Sequence, residues 1–192
     1  MRHAALGRNL LKIAGSDPLL NCVQIPRPKN GKLKSLQLTG AFVSLFFQIL
    51  PEHLFLVNLD FTVTLPVQGQ RVFFRISLSN LFECDRKSED GSLYIAVPST
   101  VNWNFVQLDL AELFQEFYGF GEFSHELDSV EICSNQVMKG IYTSNKPLTL
   151  MDIGVPPDFY ADYTLLSLIH ISDPTTLAHI SYAVFCLKKK HF

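Results

Sequence analysis

The chain has 192 residues, a length that suits one domain with a substantial core, and its 47% hydrophobic and 18% charged content excludes a mainly disordered protein. The formal net charge of −2 argues against a domain that binds nucleic acid through an overall positive potential. No apolar run reaches the about 18 residues of a membrane span, since the longest, at residues 41–50, is interrupted by Ser44 and Gln48.

The cysteines and the N-terminus bear on the cellular compartment. Residues 1–15 lack the continuous apolar region of a signal peptide. The cysteines form no Cys-x-x-Cys pair and no metal-ligand spacing, so we expect core thiols in a reducing compartment, although the spacing leaves disulfides open. They are Cys22, Cys84, Cys133 and Cys186. The sequence therefore predicts a cytosolic protein without a metal site.

The first predicted elements are short strands. Residues 10–14 and 22–25 have strand character, and the run Gly15-Ser16-Asp17-Pro18 between them is typical of a turn. Residues 42–49 are mostly apolar, and the run is short enough to indicate a buried strand rather than a helix.

The clearest pattern is a period of two. Residues 57–65 alternate between apolar and polar side chains, turn residues follow at 66–70, and the alternation resumes in residues 71–79. This predicts an antiparallel pair of strands with one solvated face. In the second strand the predicted inward residues are Val72, Phe74, Ile76 and Leu78, and the predicted outward residues are Arg71, Phe73, Arg75, Ser77 and Ser79.

One helix is predicted after a polar loop at residues 83–92 and strands at 93–97 and 104–108. Asp109 has the position of an N-cap with Glu112 at N3, and Gly119 can take the left-handed conformation that ends a helix. Apolar residues recur between them at helical spacing: Leu110, Leu113, Phe114, Phe117 and Tyr118. We expect a two-turn amphipathic helix packed on the sheet.

Two more strands are predicted at residues 127–133 and 136–143, with Ser134-Asn135 as a hairpin turn. In total about nine strands and one helix, without βαβ alternation, indicate an all-β fold. The predicted fold class is an antiparallel β-sandwich of the jelly-roll type with one short amphipathic helix.

Four of these segments carry a family resemblance. They are SLQLTG at residues 35–40, RVFFRISLSNLF at 71–82, NWNFVQLDL at 102–110 and IYTS at 141–144. In this order they resemble the domain family of cilia- and flagella-associated protein 20, and they are most similar to the member at the N-terminus of WD-repeat protein 90. The resemblance covers residues 10–145.

The resemblance implies a β-sandwich similar to carbohydrate-binding modules, located on doublet or triplet microtubules near the inner junction in a cilium, axoneme, basal body or centriole. It implies a non-catalytic structural module of the cytoskeleton, without cofactor or metal, nucleic acid or membrane. The implied partners are tubulin in the microtubule wall and neighbouring ciliary or centriolar proteins.

An enzyme and a carbohydrate-binding module are the alternative functions. His125-Glu126 lacks the second histidine of a zinc protease motif, because residue 129 is Ser129. Glu122 and Glu126 are better explained as solvated surface charges than as a glycosidase pair. Trp103 suits a core or edge position, which we favour, or a platform that stacks on sugars in a carbohydrate-binding module.

Basic residues are the candidates for tubulin binding. Arg71 and Arg75 lie on one side of a strand about 13 Å apart, and guanidinium groups bind carboxylates of an acidic surface such as that of tubulin. Lys29, Lys32 and Lys34 share one loop and are further candidates, although solubility alone also explains them.

Both ends of the chain depart from the family pattern. The family domain usually begins with a further strand or two before residue 10, so we expect an open edge of the sandwich. From about Ser167 the sequence resembles translated read-through of a sequencing adapter, the other interpretation being an ordinary terminal strand with a basic tail. We therefore divide the chain into a β-sandwich domain at residues 1–160 and a C-terminal tail at 161–192, and we expect the residues after about Ser167 not to pack on the sandwich.

Overall fold

The computed structural model describes residues 6, 10–17, 20–28, 34–66, 69–100, 102–157, 159 and 163–167. In chain order the elements are β1 (Leu11–Ile13), β2 (Cys22–Ile25), β3 (Phe42–Ile49), β4 (Leu56–Thr64), β5 (Arg71–Ser79), β6 (Arg86–Lys87), β7 (Leu93–Ala96), β8 (Trp103–Asp109), α1 (Leu110–Tyr118), β9 (Ser124–Cys133), β10 (Gln136–Ser144) and β11 (Tyr163–Ser167). The predicted all-β fold with one short helix is confirmed.

Two sheets form the sandwich. The five-stranded sheet has the order β1-β10-β3-β8-β11, and the six-stranded sheet has the order β2-β9-β4-β5-β7-β6. Neighbouring strands are antiparallel except for the parallel pairs β5 with β7 and β8 with β11. The main core lies between the sheets and is built by the inward apolar residues of both.

The five-stranded sheet is buried on both faces. In β3, Val43, Leu45 and Phe47 belong to the main core, whereas Phe46 points the other way into a second apolar cluster. A strand that is buried on both faces needs apolar side chains at successive positions, which is why residues 42–49 lack a clear alternation.

The second cluster covers the outer face of that sheet. Leu150, Ile153, Val155 and Phe159, from the chain that follows β10, pack over this face. Trp103 is 4% exposed and stacks on Phe46 with ring centroids 4.8 Å apart. The core position that we favoured for Trp103 is confirmed, and the sugar-stacking alternative is wrong because the ring is covered.

The six-stranded sheet follows the predicted alternation for most of its length. Strands β4 and β5 pair antiparallel with Leu59 opposite Ile76, and the inward side chains enter the main core. The prediction that Ser77 and Ser79 face solvent is wrong. Both are buried, and their hydroxyl groups are satisfied, since Ser77 donates to Asn58 Oδ1 and Ser79 donates to the carbonyl of Phe55.

The helix has the predicted caps. The Asp109 carboxylate accepts hydrogen bonds from the backbone amides of Ala111 and Glu112, and Gly119 ends the helix with φ of 71°. Leu110, Leu113 and Phe114 are buried. Around Phe114 pack the rings of Phe61, Phe74, Tyr118, Phe120 and Phe123, so this cluster holds five of the chain's 16 phenylalanines.

The predicted hairpin at Ser134-Asn135 is wrong. Strand β9 belongs to the six-stranded sheet and β10 to the five-stranded sheet, so the two residues carry the chain from one sheet to the other. The physical reason is that both edges of β9 are already taken by β2 and β4, which leaves no edge for β10.

The prediction of core thiols needs correction. Cys22 and Cys133 are joined in a disulfide, and Cys84 is an exposed free thiol in the part of the chain that the structure describes. Cys186 lies outside the described residues. The disulfide forms because residues 111 positions apart come to face each other on neighbouring strands.

The C-terminal part of the described chain extends the five-stranded sheet. Strand β11 pairs in parallel with β8, with Leu165 opposite Phe105. It begins just beyond residue 160, and the division into a domain and a tail stays a prediction. The predicted unpacked tail after Ser167 lies outside the described residues. None of the helices in the described part of the chain has the length and apolar character to cross a membrane.

Candidate functional site

The outer face of the six-stranded sheet carries an open groove of about 840 Å³. Strands β4, β5 and β9 build its floor, and its walls include Asp60, Thr62, Arg71, Phe73, Arg75 and Asp128. We call this surface the β5 groove. It contains both arginines that the sequence analysis selected.

Phe73 is the prominent apolar group of the β5 groove. Its side chain is 78% exposed, and it stands between Arg71 and Arg75 because alternate residues of a strand share a face. Phe73 was predicted to point outward but was not among the predicted binding residues. An exposed aromatic ring between two arginines has the composition of a protein-binding anchor.

Arg75 is held firmly by its neighbours. Its Nε donates to Asp60 Oδ1 at 2.7 Å and its terminal Nη2 donates to Asp60 Oδ2 at 3.0 Å, which makes a bidentate pair. Ser129 donates to the same carboxylate at 2.8 Å. This hydrogen-bonded pairing raises the pKa of Arg75. The guanidinium is therefore oriented by the sheet itself.

Arg71 is held only loosely. Its Nη2 lies 3.6 Å from Glu126 Oε2, and the two side chains are 60% and 38% exposed. An exposed ion pair of this kind contributes about 0–1 kcal/mol, since solvent screens it and both side chains must be ordered. Arg71 can therefore exchange Glu126 for a carboxylate of a partner at small cost.

The sequence did not predict that acidic residues surround the arginines, although Glu126 was expected to be a solvated surface charge. Asp60, Glu126, Asp128 and Glu131 lie on the outer face, where Thr62 donates to Asp128 and Asn58 donates to Glu131. Alternation does not predict this set, because the pairing of β9 with β4 skips Asp128, so Asp128 and Glu131 lie on one face although they are three residues apart. The pairing of β9 with β4, which brings these carboxylates to the arginines, joins residues about 70 positions apart.

The predicted lysine loop is only partly described. Lys34 is exposed and precedes Ser35, which lines the β5 groove. Lys29 and Lys32 lie outside the described residues, so the structure does not bring them to the groove or separate them from it. The exposure of Arg71 and Arg75 agrees with expectation, while the binding role of all these residues stays a prediction.

A second, smaller pocket lies between the loop after β5 and helix α1. It is lined by Glu83, Cys84, Asp85 and Glu116 among others. Burial raises the pKa of Asp85 to about 6, although the hydrogen bond from the Ala96 amide opposes the shift. The pocket thus holds a carboxyl group that titrates near neutral pH.

Two groups bear on metal binding. His125, which the sequence analysis considered for zinc, lies with Nε2 3.0 Å from the carbonyl oxygen of Gly40, in a structural contact. Cys22, Glu131 and Cys133 bring two sulfurs and a carboxylate oxygen within 4.8 Å of one another. Since the two sulfurs are bonded to each other, this group is first of all a disulfide with a neighbouring carboxylate.

Comparison with known proteins gives a consistent family match. The CFA20 domain family matches residues 2–159. The chain is 29% identical over 149 residues to WD repeat-containing protein 90 of Mus musculus, which covers 70% of the chain and 7% of that protein. The corresponding human protein is 26% identical over 152 residues, 70% of the chain and 8% of that protein.

A further relative comes from a green alga. Centriole proteome protein 16 of Chlamydomonas reinhardtii is 26% identical over 163 residues, which covers 83% of the chain and 7% of that protein. The chain therefore spans less than a tenth of the length of these relatives. The resemblance noted from the four sequence motifs is confirmed.

Proposed function

This chain belongs to the CFA20 domain family, and on that premise we propose that it is a non-catalytic, microtubule-binding structural module of centrioles or axonemes, a scaffold of the inner-junction type. The match over residues 2–159 carries the proposal, because it includes every strand of the sandwich except β11. A relative named for the centriole proteome supports the location. The proposed partners are the microtubule wall and neighbouring ciliary or centriolar proteins.

The β5 groove supplies the contact surface. Phe73 provides an exposed ring that can bury apolar area against a partner, and Arg71 provides a guanidinium that is free to change its carboxylate. Arg75 contributes positive charge in a fixed position, since Asp60 and Ser129 hold it. Lys34 extends the basic character at the rim of the groove.

The acidic residues around the groove modify the original electrostatic argument. A surface on which carboxylates outnumber arginines is not attracted to tubulin as a whole, so the attraction must be local to Arg71 and Lys34. The apolar contact of Phe73 then carries more of the affinity than charge does. This predicts a weaker salt dependence than a wholly basic site would show.

Co-sedimentation of the full chain with taxol-stabilised microtubules tests the function. We expect saturable pelleting at low salt. A chain that stays in the supernatant while its melting curve shows a folded protein would refute microtubule binding.

Substitutions test the surface separately from the function. Phe73→Ala and Arg71→Ala should each weaken pelleting about tenfold, since central interface anchors contribute more than about 1 kcal/mol. Lys146→Ala is the matched control, because Lys146 is exposed beyond the end of β10 and away from the β5 groove. Equal pelleting by all variants would place the contact elsewhere, with the loop of Lys29 and Lys32 next to be tested.

A further inference from the structure

Strand β2 is fastened to the sheet in two ways. It is a four-residue edge strand whose single neighbour among the described strands is β9. Hydrogen bonds of the ladder pair it with residues 130–133 of β9, and the Cys22–Cys133 disulfide adds a covalent link between directly opposite residues. The bond closes a sequence separation of 111 residues.

The ladder alone is a weak attachment. Val23 and Ile25 are only partly buried against the main core, so the apolar contribution of β2 is small. Short edge strands with few buried contacts open more readily than the rest of a sheet. When β2 detaches, the edge of β9 becomes a row of unpaired backbone groups, which another strand can pair with.

The two sulfurs differ in access. Cys133 is 1% exposed, whereas Cys22 is half-buried on the edge strand. An attacking thiolate therefore reaches the Cys22 sulfur first, and Cys133 is the leaving group. A carboxylate oxygen of Glu131 lies within 4.8 Å of both sulfurs, and Asn58 orients this carboxylate through a 2.7 Å hydrogen bond.

We propose that Cys22 and Cys133 form a reversible dithiol–disulfide site that takes a dithiol as its reductant and controls the attachment of strand β2. This inference goes beyond the proposed function. At the proposed location the pair meets a reducing thiol pool, in which disulfides are usually transient and redox-responsive.

Reduction of the disulfide takes two exchange steps. One thiolate of the reductant attacks Cys22 Sγ, the Cys22–Cys133 bond breaks, and Cys133 leaves as a thiolate that takes up a proton. The second thiol of the reductant then attacks the mixed disulfide, releases Cys22 as a thiol and closes the reductant's own disulfide. The protein gains two electrons and two protons, and the reductant loses the same.

Glu131 is a positioning residue that slows this exchange. Its negative charge disfavours the thiolate that must leave from Cys133, because like charges repel at this distance. Glu131→Gln keeps an acceptor for Asn58 and removes the charge, so reduction by dithiothreitol should become severalfold faster. Glu126→Gln removes the same charge on the same strand farther from the sulfurs and should leave the rate unchanged.

A full-length variant with Cys84→Ser and Cys186→Ser isolates the pair for the main experiment. Titration with dithiothreitol, followed by thiol alkylation and mass spectrometry, should show one two-electron transition between a form without free thiols and a form with both labelled. Reduction should lower the melting temperature by about 10 °C, since a long constrained loop is released. Amide exchange of β2 should speed by at least about tenfold, while that of β3 stays unchanged.

Three results would overturn the proposal. One is a protein whose two thiols stay free under air oxidation while its melting curve is that of a folded chain. Another is a reduced form whose β2 amides exchange as slowly as those of the oxidised form. The third is stoichiometric Zn²⁺ binding by the reduced protein in equilibrium dialysis that Glu131→Gln abolishes, which would make the three donors a metal site. None of these measurements involves microtubules, so their failure and that of the proposed function are distinguishable.

Discussion

The two outer faces of the sandwich have opposite surroundings. The face of the five-stranded sheet is covered by apolar side chains of the segment after β10, which pack on Phe46 and Trp103. The face of the six-stranded sheet is open, and it carries charged and hydroxyl groups that satisfy one another across β4, β5 and β9.

The covered face contributes to stability, and the open face is available for binding a partner. Aromatic rings on the covered face are almost completely buried, while Phe73 on the open face is 78% exposed. An aromatic ring therefore holds the fold together on one side and remains available to a partner on the other. The same residue type has two roles, which are decided by what lies above the sheet.

Trp103→Ala should produce the largest effect on stability. Loss of the buried indole removes its stacking on Phe46 and leaves a cavity under the covering segment, so we expect a cost of about 3–5 kcal/mol. Urea denaturation followed by circular dichroism measures it. A cost below about 1 kcal/mol would mean that the segment does not cover this face in solution.

Asp85 tests how burial of a carboxyl group changes the pH dependence of the free energy of unfolding. Burial raises the pKa of Asp85 in the folded state to about 6 from its usual value of 3.8, so between these pH values the folded state binds more protons than the unfolded state. Stability from this group is therefore present at low pH and is lost as the pH rises through about 6.

The expected effect between pH 5 and pH 8 is at most about 1.4 kcal/mol, since the folded pKa of about 6 lies one unit above pH 5 and one pKa unit corresponds to about 1.4 kcal/mol. Denaturation midpoints at pH 5 and pH 8 measure it in the original chain and in Asp85→Asn, which retains an acceptor for the Ala96 amide. The variant should lose this part of the pH dependence. Glu122→Gln, at an exposed position between α1 and β9, is the control and should keep it.

The two arginines of the open face differ in how firmly an acidic neighbour holds them. Arg75→Glu places a carboxylate against Asp60, so we expect a loss of about 1 kcal/mol, whereas Arg71→Glu should change stability by less than about 0.5 kcal/mol. Both substitutions should weaken microtubule pelleting, and the loss should shrink in high salt. Equal destabilisation by the two would contradict the difference in how Asp60 and Glu126 hold them.

Phe73→Ala should have the smallest effect on stability, within about 0.5 kcal/mol, because its ring buries little area in the free protein. The same substitution should lower microtubule affinity about tenfold. Thermal denaturation and co-sedimentation on one preparation measure both. A large loss of stability would show that Phe73 packs against the chain.

Local patterns predicted most of the elements. The alternation in residues 57–65 and 71–79 identified β4 and β5 with their inward faces, and Asp109 with Gly119 identified both ends of the helix. These predictions succeed because a strand's face and a helix's cap depend on residues a few positions apart. The burial of Ser77 and Ser79 was missed, since it depends on contacts with Asn58 and Phe55.

Local sequence patterns did not predict which residues the site residues contact. Ser129 meets Asp60 across 69 positions, and the crossing at Ser134-Asn135 places β10 in the other sheet rather than beside β9. A sequence shows that two strands have a polar face but not which edge each one occupies. Arg71 and Arg75 were therefore found without the carboxylates that distinguish them.

The sequence by itself determined the fold class, the helix, the exposure of Arg71, Phe73 and Arg75 on β5, and the family. Tertiary structure alone decided that Trp103 is covered, that Cys22 faces Cys133, and that Arg75 is held while Arg71 is loose. The reason is physical. Strand periodicity and capping are set by neighbours along the chain, whereas coverage, disulfide pairing and ion pairing depend on contacts between distant segments that form only when both sheets have assembled.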